Sequence, residues 1–561
     1  MTKAQSLWNH GVKIGAIGGV SVLVICLIGM VESFGKRFII AGYLPMGVTI
    51  ALIISMFAAF IAAKKTPIPE KSIQFANAVM SGFVTSGLLA IFVIIGRSIK
   101  LRVVFVEASP VLYNILTGGI SGAGGIFILL FAGLLCGAFS GLLIVLTDLP
   151  RKLIINAIAT VFALGLLQEL ILPILNSWDL GVTNYLAGLF YTLNGLTPIG
   201  AILAVIIFCI LYLLWHANQN TIKTKYSNLP KATQKKTKYF GLLILAIILI
   251  FLPQFLGLFL SEVLTIVGLY VLLGLGLNIV VGYAGLLDLG YVAFFAIGSY
   301  VVALLTSPQI FDIGLNFWQA LPIAVICGIL AGVMLGIPVL KMRGDYLAIA
   351  TLGFGEIIRI LVLSDFLKPW LGGAQGIGSI PNPNFMGFLM VKPQHIYYLI
   401  LAGCILVVFI SLRLKNSRLG RAWMAMREDE DVAQAMGINL VATKLLAFAT
   451  GAGFSALSGA IFASKIGSVY PHSFNVFISI NVVCIVIIGG IGSLPGIVVG
   501  AAALMGLPEL LREFADYRMF VYGVALVIMM LLRPEGLLPE VRHKIELHDE
   551  TETGTQTAAQ P

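Results

Sequence analysis

Along this chain the apolar residues come in long unbroken runs. They show neither the two-residue alternation of a half-buried strand nor the single apolar stripe of a soluble helix. The runs reach about 17–25 residues without a charge, the length that crosses a hydrocarbon core of roughly 30 Å. No water is present there to bond the backbone, so each run must be helical. Sixteen segments are expected. Six lie near 12–31, 38–63, 79–96, 120–146, 152–175 and 199–215. Ten lie near 239–258, 263–282, 291–306, 320–340, 346–363, 396–413, 440–463, 475–491, 496–511 and 519–532. The stretch 476–511 reads either as two full spans or as a re-entrant hairpin. The fold class is all-α, a polytopic membrane protein.

The polar interruptions divide the chain. HANQNTIKTKYSNLPKATQKKTK, residues 216–238, has six lysines and no acid, and separates a six-helix module at 1–215 from a second module at 239–539. A polybasic strip of this kind suits contact with anionic lipid headgroups. Residues 540–561, ending DETETGTQTAAQP, read as a solvated, disordered tail. The first apolar run starts after Lys13 and ends at Glu32 with no A-x-A-like site, so it reads as a retained helix rather than a cleaved signal.

Composition strengthens the membrane reading. The chain has 59% apolar residues against roughly 45–50% in soluble domains. Its net charge of +10 does not point to nucleic acid, because the basic residues sort by loop. With a cytoplasmic N-terminus, 24 of the 35 Lys and Arg residues fall on the inside and 10 outside, with Arg359 inside a span, as the positive-inside bias requires. The C-terminus is then cytoplasmic too. The six cysteines all sit in apolar runs without CxxC pairing, and the six histidines are scattered near segment ends. Neither a disulfide framework nor a metal site is indicated.

CGAFSGLL at 136–143 and CGILAGVM at 327–334 align at an offset of 191, each within glycines spaced by four: Gly133, Gly137 and Gly141, then Gly328, Gly332 and Gly336. Such spacing lets helices approach closely in lipid. An internal duplication and a shared packing device explain it equally well.

The densest charge lies in RAWMAMREDEDVAQAMGIN, residues 421–439, between two apolar runs. Glu428, Asp429, Glu430 and Asp431 are followed by Val432, Ala433, Ala435 and Met436, which can form a short apolar face, and Gly437 suits a left-handed C-cap. A short exposed helix of this kind fits a groove on a partner. A solvated loop that merely spaces the spans is the other reading.

REDEDVAQAMGINLVATKLLAFATGAGFSALSGAIFA resembles the coupling segment of permease subunits in ABC importers of the branched-chain amino acid type. GLNIVVGYAGLLDLGYVAFFAIGSY at 276–300, KMRGDYLAIATLGFGEIIRIL at 341–361, GGAQGIGSIP at 372–381 and IIGGIGSLPGIVVGA at 487–501 extend the resemblance over about 263–539. The first 238 residues match only weakly, as a degenerate permease half would. The resemblance implies a docking segment carrying Glu428, Asp429, Ala433, Ala435 and Gly437, with Lys444 and Phe448 on the following helix. Two departures stand out. The usual Ala-Ala core reads Ala433-Gln434-Ala435, and Asp288 and Tyr291 stand where the family more often has Ser and His. The implied partners are ABC ATPase subunits, a second permease subunit and an extracytoplasmic substrate-binding protein, in a bacterial or archaeal plasma membrane. ATP would be hydrolysed by the partner. This chain has no G-x-x-x-x-G-K-[ST] phosphate loop and is expected to bind no cofactor and catalyse no reaction.

Four polar residues are candidates for the pathway or for packing. Glu356 and Arg359 stand i, i+3 inside a span, where charges pair or face the protein interior. Asn278 and Asp288 flank GYAGLLDLG, where a helix is expected to break and expose backbone groups. Gln375 and Asn382, in an outside loop, are candidates for docking the binding protein. Transport of leucine, isoleucine and valine is the expected function. Urea or small-amide import and, from another class, ion-coupled secondary transport stand as alternatives.

Overall fold

The computed structural model describes residues 3–66, 70–99, 101–177, 181–192, 194–227, 231–340, 342, 344–510 and 517–539. The expected tail at 540–561 lies outside them, as do Lys341 and Arg343. Almost every described element is a helix, with four short strands near one end of the first module and one hairpin in the second. Twelve described helices are long and apolar enough to cross a membrane. One of these, Leu243–Tyr283, has 41 residues, about twice what a 30 Å core needs. It is divided at Gly257, whose φ of 74° and ψ of −174° are not helical, near Pro253. Counting it as two, and adding the shorter apolar helices Val292–Thr306, Leu494–Leu510 and Tyr522–Leu531, accounts for the sixteen expected segments.

The chain forms two compact units, Met1–Leu243 and Ile244–Pro561. Within the expected linker, residues 216–227 and 231–238 are helical. One helix, Pro198–Ser227, continues well past its apolar part, and another begins at Lys231. Residues 216–227 contain no Gly or Pro, so nothing local stops the helix where the apolar run ends.

In the first unit the core helices are α1 (Lys3–Leu27), α2 (Met46–Lys64), α3 (Lys71–Ser98) and α4 (Ala123–Val145). Helices α3 and α4 meet through small residues: a Cβ on Gly82 would lie 2.3 Å from the Gly133 carbonyl, and one on Gly137 would lie 2.7 Å from that of Ala78. In the second unit the corresponding contact joins α5 (Phe317–Val339) to α6 (Leu440–Ile466). A Cβ on Gly328 would meet the Ala456 Cβ at 2.3 Å, and one on Gly332 would meet the Ala452 Cβ at 2.6 Å. Helix α6 is the most buried of the candidate spans and is built largely of Gly, Ala and Ser. Without a hydrophobic drive between helices in lipid, close backbone approach supplies the packing.

The two glycine triads therefore do the same work with unrelated partners. At the offset of 191, α3 would correspond to residues 262–289, but the second triad packs on α6, far later in the chain. The shared spacing reflects a common packing device, and the helix pairing of a duplication is not repeated.

Candidate functional site

One end of the second unit gathers four segments that are distant in sequence. The first is the break after Leu277. A π-helical turn, Asn278–Tyr283, ends the long helix, and the chain then runs without helix to Val292. The second is the charged stretch, the third the turn at 489–496, and the fourth residues 536–538.

The charged stretch forms two helices where one was expected: α7 (Arg418–Glu428) and α8 (Glu430–Ala435). Asp429 separates them with extended backbone, φ −157° and ψ 117°, and its carboxylate accepts from the N–H groups of Asp431 and Val432. An Asp ahead of two acids is a helix start, and the run of charge concealed that cap. Helix α8 ends on Gly437, whose φ is +86°. Ile438 N donates to Ala433 O at 3.1 Å and Gly437 N to Gln434 O at 3.0 Å, the two bonds of a Schellman ending.

Helix α8 is held by its inner side. Ala433 is buried, and Lys444 on α6 pairs with Glu430 at 2.9 Å, with side chains 4% and 18% exposed respectively. Lys444 Nζ also donates to Leu340 O at 3.4 Å. Its outer side presents Val432 and Met436, 58% and 80% exposed, with Glu428, Asp429, Ala435 and Gly437 exposed around them.

Helix α7 is anchored more deeply. Trp423 is fully buried, and its Nε1 donates to Thr443 O at 2.9 Å. Arg427 Nη1 donates to Gly282 O at 2.6 Å, joining the stretch to the broken helix. At Gly285, φ is +73° and a Cβ would lie 2.8 Å from Arg427 Cγ, so only glycine fits both the backbone and the space. Glu430, Arg427 and Trp423 were not among the candidates from sequence. A Trp inside a charged loop was the available signal, since such a side chain is rarely left in water.

The broken segment reaches the other elements in turn. Asn278 Oδ1 accepts from Gly492 N at 2.9 Å. Leu537 N and Leu538 N donate to Ile488 O and Gly489 O. Asp288 is fully buried and its Oδ1 accepts from Gly290 N at 2.9 Å, closing the turn before α9 (Val292–Thr306). Tyr291 donates to Gly451 O at 2.8 Å. Leu289 N donates to Thr351 Oγ1 at 3.0 Å, and a Cβ on Gly290 would lie 1.8 Å from Thr351 O. Thr351 belongs to α10 (Asp345–Leu363), the helix that carries Glu356 and Arg359. A continuous set of contacts thus runs from α7 through residues 282–290 to α10.

Glu356 and Arg359 pair with each other: Arg359 Nε donates to both carboxylate oxygens at 3.0 Å, and Nη2 donates to Oε1. They lie on the open face of α10, with side chains 37% and 31% exposed, while Leu347, Thr351, Gly355 and Val362 on the other face are buried. At the opposite end of the unit, residues 376–380 are stapled by backbone bonds between Ile377 and Val469 and from Ile380 N to Gly467 O. There Gln375 is exposed and Asn382 half-buried. The four pathway candidates are therefore split: Asn278 and Asp288 are buried at the α7 end, while Glu356 and Arg359 sit on an open helix face.

A family model described as branched-chain amino acid transport system / permease component matches residues 259–531. The high-affinity branched-chain amino acid transport system permease protein LivM of Escherichia coli (strain K12) is 40% identical over 318 residues, covering 53% of this chain and 73% of that protein. This chain belongs to the branched-chain amino acid permease family. The probable LivM of Methanocaldococcus jannaschii is 24% identical over 285 residues, covering 46% of this chain and 81% of that protein. The permease protein LivH of E. coli K12 is 27% identical over 204 residues, covering 33% and 64%. No solved structure matches. The family match falls within the second unit, so the contacts around residues 278–290 and 418–444 all lie inside it, and the first unit lies outside it.

Proposed function

We propose that the chain is the transmembrane permease subunit of an ATP-driven importer that forms the pathway for branched-chain or other small amino acids. In this reading a separate ATPase docks on α8, a second permease subunit completes the pathway, and an extracytoplasmic binding protein delivers the substrate to the end bearing Gln375 and Asn382. Both termini are cytoplasmic, which puts the basic loops and α8 on the ATPase side.

The observation that carries the reading is the outer side of α8. Val432 on the six-residue helix and Met436 at its C-cap stand i, i+4, and the helix is fixed from behind by Lys444 and from its end by Gly437. An apolar pair held rigidly at the surface suits a groove in a partner. Movement of the docked helix has a physical route inward, because Arg427 grips the 282–290 segment and that segment grips α10. A rigid-body switch of the bundle, biased by ATP in the partner, would use this route. In this reading Asn278 and Asp288 serve the route, and Glu356 and Arg359 face the pathway. The first unit and the basic connection at 216–238 are accessory to transport.

The test is extraction from native membranes in mild detergent, comparing wild type with a double variant, Glu428→Ala and Gly437→Ala. An ATPase that accompanies wild type and is lost from the variant supports docking on α8. Equal recovery with both proteins overturns it.

A further inference from the structure

We propose that Glu356 and Arg359 are the transient binding site for the zwitterionic head of the transported amino acid, exchanging their bonds to each other for bonds to the substrate's ammonium and carboxylate. The inference rests on the proposed transport function and names the site at which that function recognises its substrate.

Four observations converge. The pair lies within a span: Glu356 is about 16 Å along α10 from Asp345 and about 10 Å from Leu363, at 1.5 Å per residue. Its heads are nonetheless about a third exposed, because α10 packs by its opposite face. Charges at such depth facing lipid are costly, and they face a polar cavity or protein partner instead. Next, each head bonds only to the other among the described residues, so neither is committed to holding a second helix. An i, i+3 ion pair of this kind adds little to helix stability, and its rearrangement asks little of the fold.

The surroundings match the rest of such a substrate. Ile349, Ile357 and Ile360 are exposed on the same face. Gly353, one turn before Glu356, is open, with nothing within 4 Å of where a Cβ would stand. A carboxylate and a guanidinium side by side, bordered by isoleucines and a gap, complement an aliphatic α-amino acid: opposite charges at one end, a branched hydrocarbon at the other. The guanidinium offers a carboxylate two parallel donors, and the Glu356 carboxylate accepts from the ammonium.

The test uses the assembled importer, with ATPase, second permease and binding protein, in proteoliposomes. Leucine uptake and ATP hydrolysis are measured together for wild type, Glu356→Gln, Arg359→Gln and the double variant. A charged hydrogen bond lost from substrate recognition predicts that leucine moved per ATP hydrolysed falls about tenfold or more in all three. The double variant is decisive. Neutralising both members of a merely structural pair is close to harmless, so recovery of the wild-type ratio in the double variant overturns the proposal. Parallel loss of uptake and hydrolysis in all three also overturns it, as a packing role. If the neutral variants fail to assemble, Glu356→Asp and Arg359→Lys keep both charges but move them. A lowered ratio in these supports recognition, and an unchanged ratio overturns it. Wild type that moves no leucine refutes the underlying transport reading before any variant is compared.

Discussion

Removing the carboxylate of Glu430 tests how α8 is held. In Glu430→Ala, the buried Lys444 loses its ion-pair partner and retains only the Leu340 carbonyl at 3.4 Å. Breaking a fully buried ion pair from one side costs about 3–5 kcal/mol. Glu430 is 18% exposed, so water recovers part of that, and about 2–3 kcal/mol is the fitting figure. The cost falls locally, because α8 has six residues and one buried side chain, Ala433, and can lift while α6 remains packed. At 1.4 kcal/mol per factor of ten, the open population of residues 429–438 rises about 30- to 150-fold. Hydrogen exchange read by mass spectrometry on the purified protein follows this directly. Faster exchange is expected across 429–438, with none in the Gly- and Ala-rich centre of α6. Adding Lys444→Met removes the stranded charge and should return most of the protection. Unchanged exchange in the single variant, or equal loss in single and double variants, would refute the reasoning.

Val432→Asp and Met436→Asp alter exposed positions, so thermal stability should move by no more than about 0.5 kcal/mol while ATPase co-purification is lost; full retention would remove these residues from the docking face. Gly437→Ala places a side chain at φ +86° with free space around it, so backbone strain of about 1–2 kcal/mol is the main penalty. It should appear as faster exchange at 433–438, and an equal loss of protection across α6 would contradict that. Gly332→Leu forces side-chain atoms into Ala452 and the Phe448 carbonyl, already 2.6 and 2.7 Å from a Cβ. Aggregated protein on gel filtration is expected, and a monodisperse variant of wild-type stability would show that α5 and α6 need not touch. Deleting residues 1–238 should leave amino-acid uptake intact, since the family match begins at residue 259; a folded truncation without uptake would give the first unit a required role.

Much of this protein is determined by its sequence alone. Apolar runs of spanning length force helices in lipid whatever the neighbours do, because the backbone has no other way to bond. That is why the membrane segments, the four-residue glycine spacing and the break at GYAGLLDLG could be read in advance. The family could be read too, from motifs in order. Only the tertiary structure decided which segments meet. Nothing in the chain order says that Arg427 reaches Gly282, that Lys444 turns back to Glu430, or that the second glycine triad packs on α6. Nor does the spacing of Glu356 and Arg359 reveal that both lie on the open side of α10. Helical periodicity names the faces of a helix. Which face is covered depends on small-residue contacts between elements up to two hundred residues apart, and these carry no local signal.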